Sequence, residues 1–147
     1  MGTHPEVADW LEKYPEPKGT APLASKEQVR QWLLLDDNKT QILDLRKHDF
    51  QGGNIRGALC AHYTGVYSSV EDIWRLLKGA GKTRIVVHCW SSRKRAVKTA
   101  GWFYDSLVAH NEKDIEVYVL EGGIKGWVDG GKQYTDLMVE FDPSGFS

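Results

Sequence analysis

Apolar and polar positions alternate along this chain in short blocks that switch between two periods. Ser25 with Gln28 three residues later is a capping-box signature and predicts a helix through Val29, Trp32 and Leu33. The helix ends near the turn Asp36-Asp37-Asn38, and the run Gln41 to Leu45 follows as a strand. His48, Asp49 and Phe50 lead to the turn at Gly52-Gly53, and Ala58 to His62 reads as another short strand, containing Cys60. Ser69 with Asp72 opens the next helix, through Ile73, Trp74 and Leu77 toward Gly79. After Gly79-Ala80-Gly81, the β-branched run Arg84 to Val87 has the length and composition of a buried strand. Ala96 to Val108 then places Val97, Ala100, Gly101, Tyr104 and Val108 at helical spacing, and Ile115 to Leu120 is the last strand. Strands alternating with helices imply an α/β domain whose mostly parallel sheet is covered on both faces.

Composition narrows the picture modestly. With 147 residues, 41% hydrophobic and 27% charged, the chain suits one soluble domain with a proper core. The expected division is an N-terminal arm over residues 1–22 and a single domain over 23–147. The arm carries four of the five prolines and one short apolar cluster, Val7 to Leu11. Loose packing with Trp10 and Tyr14 as anchors and plain fraying are both open there. A net charge of −1 gives no general pull toward nucleic acid or a membrane. Two cysteines do not make a disulfide framework, which fits a reducing cytoplasmic address, the nucleus being compatible with it.

Chemistry concentrates in His88-Cys89-Trp90-Ser91-Ser92-Arg93-Lys94-Arg95. A cysteine sits where a strand turns into a helix, with an arginine six positions on. The first turn of a helix has N–H groups without intrahelical partners, and its dipole favours negative charge. Seven residues from Cys89 to Arg95 can therefore curl so that the amides of Trp90, Ser91, Ser92, Arg93 and Lys94 converge on one tetrahedral oxyanion. Arg95 would complete the ring, because a guanidinium grips two oxygens at once. The same field favours a thiolate at Cys89, lowering a thiol pKa from about 8.5 toward roughly 3.5–7.5. A lone cysteine after an apolar run is more often a small buried hydrophobe, but the spacing to Arg95 argues against that here. No cluster has metal-ligand spacing, and no cofactor is expected.

These residues resemble the active-site loop of cysteine-dependent phosphatases. The surrounding chain is similar to the rhodanese-fold branch that holds the cell-division-cycle (M-phase inducer) phosphatases and eukaryotic arsenate reductases. Three further segments carry the resemblance: Ile42-Leu43-Asp44-Leu45-Arg46, Phe50 to Ala58 with its Gly53-Asn54-Ile55-Arg56-Gly57-Ala58 turn, and Leu120-Glu121-Gly122-Gly123 followed by Trp127. The resemblance implies a rhodanese-like fold with a five-stranded, mostly parallel sheet. It also implies that Glu121-Gly122-Gly123 lines the same mouth as Cys89, with Trp127 covering the core. For Arg46, pinning the loop through a carboxylate is preferred over binding the oxyanion.

Loop length separates branches of that family. Sulfurtransferases use a shorter loop, whereas seven members suit phosphate and arsenate. The implied reaction is phosphomonoester hydrolysis, on phosphotyrosine-like protein substrates or small aryl phosphates, through a phosphocysteine on Cys89. Arg95 and the loop amides would carry the oxyanion charge. The alternatives are an arsenate reductase using glutathione or glutaredoxin, for which Arg93, Lys94, Arg95 and Lys98 suit a free trianion, and a non-catalytic anion-binding module. His88 is expected to anchor the strand end, not to act as a base. Acidic residues that some relatives carry inside the loop are missing, which leaves Asp49, Glu71, Asp72 and Glu121 as proton donors by topology only. Leu45 stands where the cell-cycle phosphatases carry a protective second cysteine. Cys60 reads as a small core residue in preference to a substitute for it.

Overall fold

The computed structural model describes residues 3–147, so the first two residues of the expected arm lie outside it. Five parallel strands form the main sheet: β1 (Leu23–Ala24), β2 (Thr40–Asp44), β4 (Leu59–Cys60), β5 (Arg84–His88) and β6 (Glu116–Leu120). Their order is β1-β6-β5-β2-β4, which makes β5 the central strand. Ile85, Val86 and Val87 in it are fully buried, as expected for a parallel strand covered on both faces. A two-stranded antiparallel ribbon pairs β3 (Asn54–Ile55) with β7 (Met138–Val139).

Helices cover both faces. One face carries α1 (Pro5–Lys13), α3 (Val70–Gly79) and α4 (Arg95–Ala109) over a core that includes Leu43, Ile85, Val87, Trp74 and Phe103. The other carries α2 (Lys26–Leu34), α5 (Gly123–Asp129) and α6 (Lys132–Thr135) around Ile42, Val86 and Trp127. Ser25 Oγ accepts the Gln28 N–H at 3.1 Å, so the cap expected for α2 forms. Ser69 precedes α3 but makes no side-chain cap bond. Trp127 is fully buried over the core, as expected.

Three expectations change. The arm is neither loose nor frayed over α1, where Val7 and Trp10 belong to the core beside Tyr63 and Trp102. Its connection to β1 is fastened to α4, because Trp102 Nε1 donates to Pro15 O at 2.9 Å and Asp105 accepts the N–H groups of Lys18 and Gly19. Wedged between sheet and arm, α4 buries two sides, including Ala96, Thr99, Ala100 and Phe103. Val97, Tyr104 and Val108, which helical spacing had aligned with Ala100 and Gly101, are exposed instead. The strand expected over Ala58–His62 shrinks to β4, an edge strand on which Cys60 is exposed and not a core residue.

Candidate active site

The sheet register decides where the chemistry sits. Asp44 pairs with His88 at the carboxyl ends of β2 and β5, and Cys89 follows immediately. Ligands in open parallel sheets sit beyond these ends. His88 is fully buried, and its Nδ1 donates to the Cys89 carbonyl at 3.0 Å. Burial pushes its pKa down despite the nearby Asp44 carboxylate, so the ring is neutral and fixes the strand end.

Asp44 and Arg46 form a buried ion pair, Nη2 to Oδ2 at 2.7 Å. Arg46 also donates to Gln51 O at 3.1 Å and Gly53 O at 2.8 Å. It therefore pins the following loop, the preferred of its two readings. Burial works against the Asp44 carboxylate, but the hydrogen bonds and charge of Arg46 hold its pKa below the usual range.

Cys89 and the loop after it close onto the start of α4. Ser92, with φ of +58°, turns its Oγ back to accept the Cys89 N–H at 3.4 Å. Among the described residues, no protein acceptor takes the N–H groups of Trp90, Ser91, Ser92, Arg93, Lys94 or Arg95. The loop carbonyls, by contrast, are taken from behind: Ile124 N–H donates to Cys89 O at 3.1 Å and Lys125 N–H to Trp90 O at 3.0 Å. Gly123 makes this backing possible, because a Cβ there would lie 2.3 Å from Trp90 O. The closing segment thus backs the loop, whereas the resemblance set it at the mouth with Cys89; Glu121, Gly122 and Gly123 do not line the cavity.

In front of the loop opens a cavity of about 820 Å³. Cys89 lies at its floor, 2% exposed. Trp90, Ser91, Arg93, Lys94 and Arg95 all contribute to its wall. Trp90 stacks on Phe146 with ring centroids 5.3 Å apart. Ser92 is buried within the loop.

Arg95 is held by a partner the sequence did not pair with it. Its Nη1 and Nη2 donate to Asp49 at 2.9 and 2.6 Å, and its guanidinium lies 5.3 Å over the Tyr63 ring. Burial opposes the Arg95 charge, but Asp49 and the Cys89 sulfur outweigh it and raise its pKa. Asp49 in turn is held below the usual carboxylate range: burial raises its pKa, and hydrogen bonds from Arg95 more than cancel that.

Of the four proton-donor candidates, only Asp49 lines the cavity. Glu71 on α3 is committed to Arg75 on the same helix and to His110 at the end of α4. Asp72 on α3 and Glu121 beyond β6 are exposed and outside it. Lys98 also leaves the expected cationic cluster. It is 3% exposed, and its Nζ donates to Leu11 O at 2.6 Å and Tyr14 O at 2.7 Å, clamping the end of α1. Residues that sequence reasoning missed complete the rim: Thr3, His4 and Val7 from the arm, His48 and Gln51 after β2, and Gly145 and Ser147. No periodicity marks them, because they are brought together from both ends of the chain.

The Rhodanese-like domain model matches residues 26–129, well over half of the chain. The chain belongs to the rhodanese-like domain family. Within this family it is similar to the dual specificity phosphatase Ibp1 of Schizosaccharomyces pombe, at 27% identity over 142 residues, covering 84% of this chain and 99% of that one. It also resembles the As-Sb reductase from Leishmania major, with 26% identity and a TM-score of 0.69 over 85% of this chain and 90% of that one. Ygr203w, a yeast protein tyrosine phosphatase of the rhodanese family, shares the fold at 18% identity, with a TM-score of 0.71 over 88% and 99% of the two chains. Among the described residues, no helix is long and apolar enough to cross a membrane.

Proposed function

We propose that this rhodanese-like chain is a cysteine-dependent phosphatase that hydrolyses phosphomonoesters, phosphotyrosine-like or small aryl, through a phosphocysteine intermediate. One observation supports the reading: the six successive amides that follow Cys89 have no protein acceptor among the described residues, and Arg95 lines the same cavity as Cys89. Such a set binds a tetrahedral oxyanion and stabilises a thiolate with the same groups. The Cys89 thiolate attacks phosphorus in line with the leaving oxygen, forming an S–P bond as the P–O ester bond breaks. Water then displaces the thiolate. Arg95 and the loop amides carry the charge on the equatorial oxygens in both steps. Asp49 positions Arg95, and at neutral pH it carries no proton to give away.

A second reading, arsenate reduction, is favoured by the likeness to the Leishmania As-Sb reductase. In it Cys89 attacks arsenate and an external thiol, glutathione or glutaredoxin, completes the electron transfer. Two assays separate the readings: hydrolysis of an aryl phosphate, and arsenate reduction with glutathione and glutaredoxin, each with Cys89→Ser as control. The phosphatase reading expects ester turnover that Cys89→Ser abolishes. Turnover of arsenate alone would overturn it, and activity in neither assay would leave only an anion-binding module.

A further inference from the structure

The chemistry leaves one position in the cavity unfilled. An alkoxide or phenolate leaving from phosphorus needs a proton, yet the loop between Cys89 and Arg95 contains no acid. Among the described residues, the one carboxylate side chain on the cavity wall, Asp49, is ionised and spends both oxygens on Arg95. Among the described residues, that wall also carries two imidazoles, His4 and His48. They stack face to face, with ring centroids 3.7 Å apart and planes 19° from parallel. His4 uses Nδ1 to accept the Glu6 N–H at 3.1 Å, capping α1, so that nitrogen is committed to structure. No protein partner takes either ring nitrogen of His48 among the described residues.

We propose that His48 is the proton-transfer residue of this site, giving a proton to the leaving oxygen and recovering one from water. The inference rests on the phosphatase reading above. In the first step the sulfur–phosphorus bond forms, the ester bond breaks, and the His48 imidazolium passes its proton to the departing oxygen. In the second, neutral His48 takes a proton from the attacking water while the phosphorus–sulfur bond breaks, which restores the thiolate; inorganic phosphate leaves and the imidazolium returns its proton to solvent. His4 acts as a positioning residue: its ring fixes the His48 plane, and α1 thereby contributes to the site.

The surroundings suit that cycle. His48 faces His4 and Glu6 from α1, Asp49 on its own loop, Arg95 from α4 and the edge of Tyr63 at 6.3 Å. Burial, together with His4 and Arg95, lowers its pKa, and Asp49 and Glu6 raise it by less, so the free protein holds a neutral ring at neutral pH. A phosphoryl dianion entering the cavity adds negative charge beside the ring and favours the imidazolium, which ties protonation of His48 to substrate arrival.

The test compares wild type with His48→Gln on phenyl phosphate and p-nitrophenyl phosphate, read as kcat/KM. Phenolate is the more basic leaving group and depends more on the donor. The expected loss on phenyl phosphate is about 10²-fold, in the range of general acid catalysis, and less than ~10-fold on p-nitrophenyl phosphate. Inhibition by inorganic phosphate should not change, and added imidazole should restore part of the lost rate in His48→Gly. Equal losses on the two esters, no loss, or a parallel loss of phosphate inhibition would overturn the role of His48 while leaving the phosphatase reading intact. A wild-type protein that turns over neither ester would overturn both.

Discussion

Exchanging Gly123 for alanine tests whether the backing of the loop by α5 is what holds the cradle open. Gly123 has φ of +63°, a region in which an L-residue is disfavoured by roughly 1–2 kcal/mol. Its added Cβ would also stand 2.3 Å from Trp90 O, 2.7 Å from Trp90 C and 2.8 Å from Ser91 C. All three are backbone atoms, so the loop itself must move. Moving it weakens the bonds from Ile124 to Cys89 O and from Lys125 to Trp90 O, each worth about 1 kcal/mol. The sum is a destabilisation of about 3–4 kcal/mol. Gly122 supplies an internal control, because φ there is +82° but the nearest atom to a Cβ is Gly126 Cα at 3.5 Å. Gly122→Ala should therefore show only the conformational penalty, roughly 1–2 kcal/mol. Urea unfolding followed by tryptophan fluorescence measures the two differences, and inhibition by inorganic phosphate reports the cradle. Gly123→Ala is expected to lose phosphate inhibition along with stability, and Gly122→Ala to keep it. Equal destabilisation of the two variants, or an unchanged phosphate response in Gly123→Ala, would refute the argument that the loop depends on this close approach.

Three further outcomes are expected. Asp44→Asn leaves Arg46 as a buried unpaired cation and should destabilise by about 3–5 kcal/mol in urea unfolding at pH 7. Because the folded-state pKa of Asp44 is depressed, its contribution is complete above about pH 4 and is lost as pH falls through the lower folded value. The gap between wild type and Asp44→Asn should accordingly close in acid. Trp10→Ala removes a core side chain that is 3% exposed and should cost about 3–5 kcal/mol; the resulting release of α1 should lower aryl phosphate turnover as well, since His4 lines the cavity. Cys60→Ser should leave turnover unchanged, and peroxide treatment should produce no Cys60–Cys89 disulfide on non-reducing mass spectrometry. Cys60 is registered with Asp44, two strands from β5, a Cα separation of about 9–10 Å that exceeds the ~7 Å a disulfide can bridge.

Much of the site was legible because its parts are close in sequence. Cys89 to Arg95 is one strand-to-helix turn, whose geometry follows from an apolar run ending where helical spacing begins. Asp44 and Arg46 are two residues apart at a strand end, so their pairing needs no knowledge of the rest of the fold. The resemblance set Glu121-Gly122-Gly123 at the mouth, whereas Gly123 backs the loop against Trp90 O and none of the three lines the cavity. The order of strands and helices implied a parallel sheet, with Cys89 just beyond the carboxyl end of a strand.

Tertiary packing decided everything that joins distant positions. Asp49 reaches Arg95 across 46 residues, and Lys98 turns away from the cradle to carbonyls at the end of α1 more than 80 residues earlier. His4 meets His48 only because Trp10 draws α1 into the core. The orientation of α4 was misread for the same reason: its sequence shows an apolar stripe, but a helix covered by sheet and arm together buries two sides, and no period distinguishes them. Hydrophobic spacing fixes which elements form. Which side chains meet depends on how those elements dock, a sum of many weak contacts between residues far apart in the chain.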